Sequence, residues 1–336
     1  MFYYAPPQSD KQALRAISRR AGCALLVVCA LQLAASFVAV FLKDRLGLGG
    51  SLWFHLVAVL SGMTVLAGAA VGRRLLRVER RDSASPVKTA QTHGFSSRGT
   101  HNFSSRETHC RASLFDACLL IIAGAALCMA GNAVGAFVEQ IARQAGIEFQ
   151  GGPAPAAPQS LPGLLLMLLT VAVLPAVAEE WLLRGVLLPT LKPFGDGFAV
   201  ACTAALFALL HQNMEQAPMA FVSGLALGWA YVRSGRLVVP VLIHLWNNAA
   251  AVAFTLLPEG AANVYVPALA VLGVVGLFVL YLRRRPQDNK GGHAPKEIYR
   301  EMPAWRRTSN FFFGSAAMAL ALAYFVVLIG MNTRIT

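Results

Sequence analysis

Glu179 and Glu180 stand side by side in the run AVAEEWLLRGVLLPTL, residues 176–191, and Arg184 follows the second of them by four positions. The rest of that run has the composition of a membrane core, where an ionisable side chain is expensive and marks a candidate functional site. On a helix, Glu180 and Arg184 share a face and can neutralise each other, whereas Glu179 projects about 100° away as an unpaired carboxylate. Two more polar clusters follow. FALLH places His211 one turn beyond Phe207, and HLWNN places His244 and Asn248 one turn apart. The chemistry such a set can run is hydrolysis. A carboxylate beside an imidazole can orient and deprotonate a water, while a second imidazole and an amide N–H can stabilise the oxyanion that forms on a carbonyl. No nucleophilic Ser or Cys is required, and the absence of GxSxG and HExxH counts against an α/β-hydrolase and a zincin.

Each cluster alone has an ordinary explanation: an ion pair locking two helices, an interior histidine with its bond satisfied, an asparagine bridging helices. Depth links them. Counting 1.5 Å per residue from the surface near Leu191, Phe198 and Leu237, Glu179 lies roughly 18 Å in, His211 roughly 20 Å, His244 roughly 11 Å and Asn248 roughly 17 Å. Polar residues from three helices thus converge on one level.

The elements that must position them are membrane helices. The chain has 336 residues, 56% hydrophobic and 13% charged, with a mean hydropathy of +0.56; soluble domains carry about 25% charged residues. Apolar runs near 21–42, 52–72, 113–137, 161–191, 198–211, 217–233, 237–257, 264–282 and 311–331 predict an all-α, polytopic transmembrane helical bundle of about 8–9 membrane-spanning helices. The net charge of +13 does not point to nucleic acid, because it lies between the apolar runs. Segment 73–112 holds nine Lys/Arg against three acids. With the N-terminus in the cytoplasm, 73–112, Lys192, Arg233, Arg236 and 283–310 all fall on the cytoplasmic side. The N-terminal KQALRAISRR precedes an apolar run too long for a signal-peptide core, so it reads as a first anchor. Five of six cysteines lie in apolar segments and no CxxC occurs, so neither a disulfide framework nor a metal knuckle is indicated. GGPAPAAPQS (151–160) reads as a linker. FSSRGTHN/FSSRETHC (95–110) is a tandem repeat whose His93, His101 and His109 are read as a slipped duplication rather than a metal site. The spacings Gly131–Gly135 and Gly224–Gly228 suit close helix packing.

The ordered motifs EEWLLR, FALLH and HLWNN resemble EExxxR, FxxxH and HxxxN of the CPBP family, the CAAX-protease and bacteriocin-processing membrane proteins that include type II CAAX prenyl endopeptidases. The resemblance covers about 161–257, a protease-like core between N-terminal transmembrane helices with a basic loop (1–150) and C-terminal ones with a second basic loop (264–336). It implies an intramembrane glutamic endopeptidase acting on a membrane-associated or lipidated protein or peptide, multi-pass in a bacterial cytoplasmic membrane and in contact with membrane lipids. Its implied site has Glu179 as general base, His211 positioning the water, His244 and Asn248 forming the oxyanion hole, and Glu180 with Arg184 supporting them. No cofactor is implied; zinc, which two His and two Glu can ligate, is the alternative weighed against that. A non-catalytic scaffold or bacteriocin self-immunity protein of the same fold is the rival reading, and a transporter ranks last because no inverted repeat is visible.

Overall fold

Apolar backbone can satisfy its hydrogen bonds in lipid only by closing them within the segment, so the apolar runs form helices. The computed structural model describes residues 7–82, 112–149, 157–258, 260–283 and 302–335. The repeat at 95–110 with its histidines, residues 151–156 of the linker, and most of the basic segments 73–112 and 283–310 lie outside the described residues. The helices are α1 (Pro7–Leu46), α2 (Gly50–Asp82), α3 (Leu114–Gln144), α4 (Leu161–Phe194), α5 (Asp196–Leu210), α6 (Ala217–Ser234), α7 (Val238–Phe254), α8 (Ala261–Leu282), α9 (Ala304–Phe312) and α10 (Ala316–Met331). The chain is thus a multi-pass, helical membrane protein. A small departure from the all-α expectation is the antiparallel pairing of β1 (Ile147–Phe149) with β2 (Thr333–Ile335).

Every expected apolar segment is a helix, but they are unequal. Among the described residues, five are long and apolar enough to cross a membrane, six if α9 and α10, bent by 82°, count as one span. The expected count of 8–9 spans is therefore not reached by length. At 1.5 Å per residue α5, with 15 residues, and α7, with 17, reach only about 22–25 Å against a hydrocarbon core of about 30 Å.

The basic helix ends meet on one face. Ala112 N–H donates to the Ser234 carbonyl at 3.2 Å, Arg283 pairs with Asp116 at 2.9 Å, Arg307 donates to the Phe194 carbonyl, and Ser18 donates to the Phe311 carbonyl at 2.6 Å. α1 packs on α2 and α10, α3 on α6, α7 and α8, and α5 on α6. Small residues allow this closeness: a Cβ on Gly224 would come within 2.9 Å of Ala204 Cα, and one on Gly131 within 3.0 Å of Ser223 Oγ.

α4 changes character along its length. Leu161, Leu165, Leu169, Val173 and Val177 form an exposed apolar stripe, as a lipid-facing helix requires. From Leu182 the helix is enclosed, and Leu182, Leu183, Leu187, Leu188 and Leu191 are fully buried. The glutamates and Arg184 sit at the passage between these halves.

Candidate active site

α4 is not a uniform helix. Leu168–Val173 and Trp181–Leu187 are wound with wider, i to i+5 turns, as in the bonds from Leu174 N–H to the Leu169 carbonyl and from Leu188 N–H to the Leu183 carbonyl. Each wide stretch ends just before Pro175 or Pro189. Proline lacks an N–H and its ring collides with the carbonyl four residues back, so widening the preceding turn relieves the clash. The segment Leu174–Glu180 is thereby rotated between two defects, and Glu179, Glu180 and Arg184 are placed by them.

Glu180 and Arg184 form the expected ion pair, Nη1 to Oε1 at 2.8 Å, both side chains fully buried. The second arm of the guanidinium donates to the Gly224 carbonyl at 2.7 Å, and its centre lies 5.2 Å from the Phe207 ring. His244 Nδ1 is 3.1 Å from the same Glu180 Oε1. A carboxylate oxygen only accepts, so Nδ1 carries the proton and Nε2 faces Glu179, whose Oε2 is 4.0 Å away. Glu179 is about one-fifth exposed, and its buried Oε2 has no hydrogen-bond partner.

His211 caps α5 and gives Nδ1–H to the Phe207 carbonyl at 2.8 Å. Its ring meets Phe207 edge-on at 4.8 Å, and His244 meets the same ring at 5.5 Å. Phe207 is therefore the hub that joins both imidazoles and the guanidinium. Asn248 makes its bond outside the ion-paired cluster: its Nδ2 donates at 3.1 Å to the Val171 carbonyl, whose i+4 N–H is missing because residue 175 is proline.

Glu179, Glu180, Arg184 and His244 are brought together as expected from depth, but not by the expected count. Leu237 lies beside Gly185, its Cδ2 3.5 Å from where a Cβ on that glycine would stand. α7 thus starts below the surface, and His244 reaches the level of Glu180 although residue counting placed it shallower. Sequence reasoning missed His55, which is buried and donates Nδ1–H to Thr170 Oγ1 at 2.8 Å, tying α2 to the first wide-turn stretch. It also missed Gln212, at φ +54° directly after His211. Pro175 and Pro189 were the legible signals for the helix defects; for Gln212 the sequence holds none. Among the described residues, no three His, Cys, Asp or Glu side chains are grouped as a metal site requires.

A helical membrane bundle enclosing a carboxylate, imidazole and guanidinium cluster is the class of protein that fold and site define. Residues 161–250 match the model of a family described as type II CAAX prenyl endopeptidase Rce1-like, which supports the resemblance to the CPBP family carried by the three motifs. Two curated proteins are each similar over about a quarter of the chain. The membrane-embedded CAAX protease MroQ of Staphylococcus aureus is 34% identical over 97 residues, 26% of this chain and 39% of that protein. An uncharacterised 24.3 kDa protein of Escherichia coli is 34% identical over 95 residues, 26% of this chain and 44% of that protein. The chain thus spans less than half the length of these relatives. No solved structure matches.

Proposed function

We propose that the chain is an intramembrane glutamic endopeptidase, hydrolysing a peptide bond of a membrane-associated or lipidated protein or peptide. The observation carrying this reading is the 4.0 Å gap between Glu179 Oε2 and His244 Nε2, beside a second carboxylate already paired with Arg184. That gap is too long for a direct hydrogen bond and suits a bridging water. Glu179 takes a proton from the water as its oxygen bonds to the substrate carbonyl carbon, and returns that proton to the leaving amine when the C–N bond breaks. His211, with Nδ1–H committed to Phe207, offers Nε2 as an acceptor that helps hold the water. His244 with a proton on Nε2, and the second N–H of Asn248, are the donors to the oxyanion.

Both carboxylates and both imidazoles have tasks in this scheme, and it routes no step through a metal. The same proposal puts the protein in a bacterial cytoplasmic membrane, with its N-terminus in the cytoplasm as the sorting of Lys and Arg favours. The test compares the membrane proteomes of cells carrying wild type or Glu179→Gln, then assays the accumulating precursor with purified, detergent-solubilised protein. The expected result is a fall in cleavage of about 10²–10⁴ with the protein still folded. Retained cleavage by Glu179→Gln overturns Glu179 as the general base, whereas retained biological function of Glu179→Gln with no cleavage by the wild type favours a non-catalytic scaffold or self-immunity protein. Stoichiometric zinc with chelator-sensitive cleavage overturns the metal-free part alone.

A further inference from the structure

Directly after His211 the backbone enters a conformation that a side-chain-bearing residue rarely adopts: Gln212 has φ +54°, alone among the described non-glycine residues in the left-handed region. Such strain persists only where the surroundings fix it. Here they do so from outside the family-matched core. Gln212 Nε2 donates to Gln32 Oε1 of α1 at 2.6 Å, and Asn332 Nδ2, at the end of α10, donates to the Gln212 carbonyl at 3.0 Å. The far side of the turn is fixed as well, because the Asn213 side chain is buried and its Oδ1 accepts from Glu215 N–H at 2.8 Å. α5 has by then ended, and its last bonds are those of His211 and Gln212 N–H to the Ala208 and Leu209 carbonyls, at 3.3 and 3.1 Å.

We infer that Gln32 and Asn332 are positioning residues for His211: the two flanking helices hold Gln212 left-handed, and this sets the imidazole against Phe207. α1 and α10 run the same way from the basic face, where Ser18 and Ser315 hydroxyls meet at 3.0 Å, and both reach Gln212 about 14–17 residues later. The two contacts are therefore one clamp, made by helices that the core itself does not supply. The inference rests on the peptidase reading for its catalytic consequence, though not for its geometry.

The test is a rescue. Glycine adopts a positive φ without a Cβ penalty, so it removes the need for the clamp's side-chain half while keeping the carbonyl that Asn332 binds. Gln32→Leu is expected to lower kcat about tenfold or more with KM little changed, since small misplacements of a catalytic group are costly. Gln212→Gly is expected to stay within about threefold of wild type, and Gln32→Leu/Gln212→Gly to recover most of the loss. A general packing role for Gln32 would give no such recovery, and that result overturns the inference. A second readout is independent of turnover: ¹⁵N-histidine NMR of the detergent-solubilised protein, with the His211 signals assigned by their loss in His211→Gln. Those signals should move in Gln32→Leu and in Asn332→Leu, and return in the Gln32→Leu/Gln212→Gly variant. Unmoved His211 signals in both single variants overturn the positioning whatever the activity. If instead the signals move and return while the wild type shows no Glu179-dependent cleavage, the clamp stands and the glutamic-peptidase reading fails.

Discussion

Glu180 Oε1 is the atom on which the candidate site turns, since it accepts from both Arg184 Nη1 and His244 Nδ1. Glu179 differs from it only by one position on the helix, and that step separates a neutralised carboxylate from one facing an imidazole across 4.0 Å. Removing one member of a fully buried ion pair leaves the other uncompensated, at about 3–5 kcal/mol, whereas removing both avoids the unpaired charge. Arg184→Ala should therefore lower the thermal midpoint of the purified protein more than Glu180→Gln/Arg184→Met does. Equal midpoints would show that Arg184 stabilises mainly through the Gly224 carbonyl and the Phe207 ring. Arg184→Lys should not substitute, because an ammonium lacks the fork that reaches Glu180 and Gly224 together.

At the scale of the helix, the two wide-turn stretches of α4 place this chemistry, and Asn248 has a structural task there. Its Nδ2 donates to the Val171 carbonyl, whose i+4 N–H is missing because residue 175 is proline. Asn248→Ala should cost about 0.5–1.5 kcal/mol of stability, the usual net worth of one lost hydrogen bond, here at a part-buried carbonyl. Pro175→Ala restores an N–H four residues after Val171, so the double variant Pro175→Ala/Asn248→Ala should regain that stability. Its kcat should nevertheless stay depressed by about 10²–10³, because the oxyanion donor is still missing. Recovery of kcat along with stability, measured by unfolding and cleavage on the same samples, would remove Asn248 from the reaction. The Glu180–Arg184 pair and the edge-on contact of His211 with Phe207 were legible in the sequence because i, i+4 neighbours meet on any helix. The Val171 bond was not legible, since it depends on which element packs against the kink. Nor was the depth of α7, which is set by Leu237 seating beside Gly185 rather than by where the apolar run begins.

Across the whole molecule, charge is sorted by face. The ends carrying Arg73, Arg74, Lys192, Arg233, Arg236, Arg283, Arg306 and Arg307 gather on one side, held together by Ala112–Ser234, Arg283–Asp116 and Arg307–Phe194 contacts. The opposite ends carry Lys43, Arg45 and Arg143, with Asp44, Glu139, Glu148 and Glu215 among them. Alternating helix direction was readable from the spacing of apolar runs. The shortness of α5 was readable as well, since its apolar run, 198–211, is itself short, whereas α7 ends at Phe254, before its run of 237–257 does. Lysine and arginine are retained on the cytoplasmic side during insertion, so the face with the larger basic excess should be cytoplasmic. In a background without native cysteines, Gly49→Cys in the turn between α1 and α2 and Leu257→Cys after α7 should react with a membrane-impermeant maleimide added to intact cells. Arg236→Cys, on the basic face, should react only after the membrane is opened. Labelling of Arg236→Cys in intact cells, with Gly49→Cys and Leu257→Cys protected, would invert the topology and place the ends nearest His211 and Gln212 toward the cytoplasm instead.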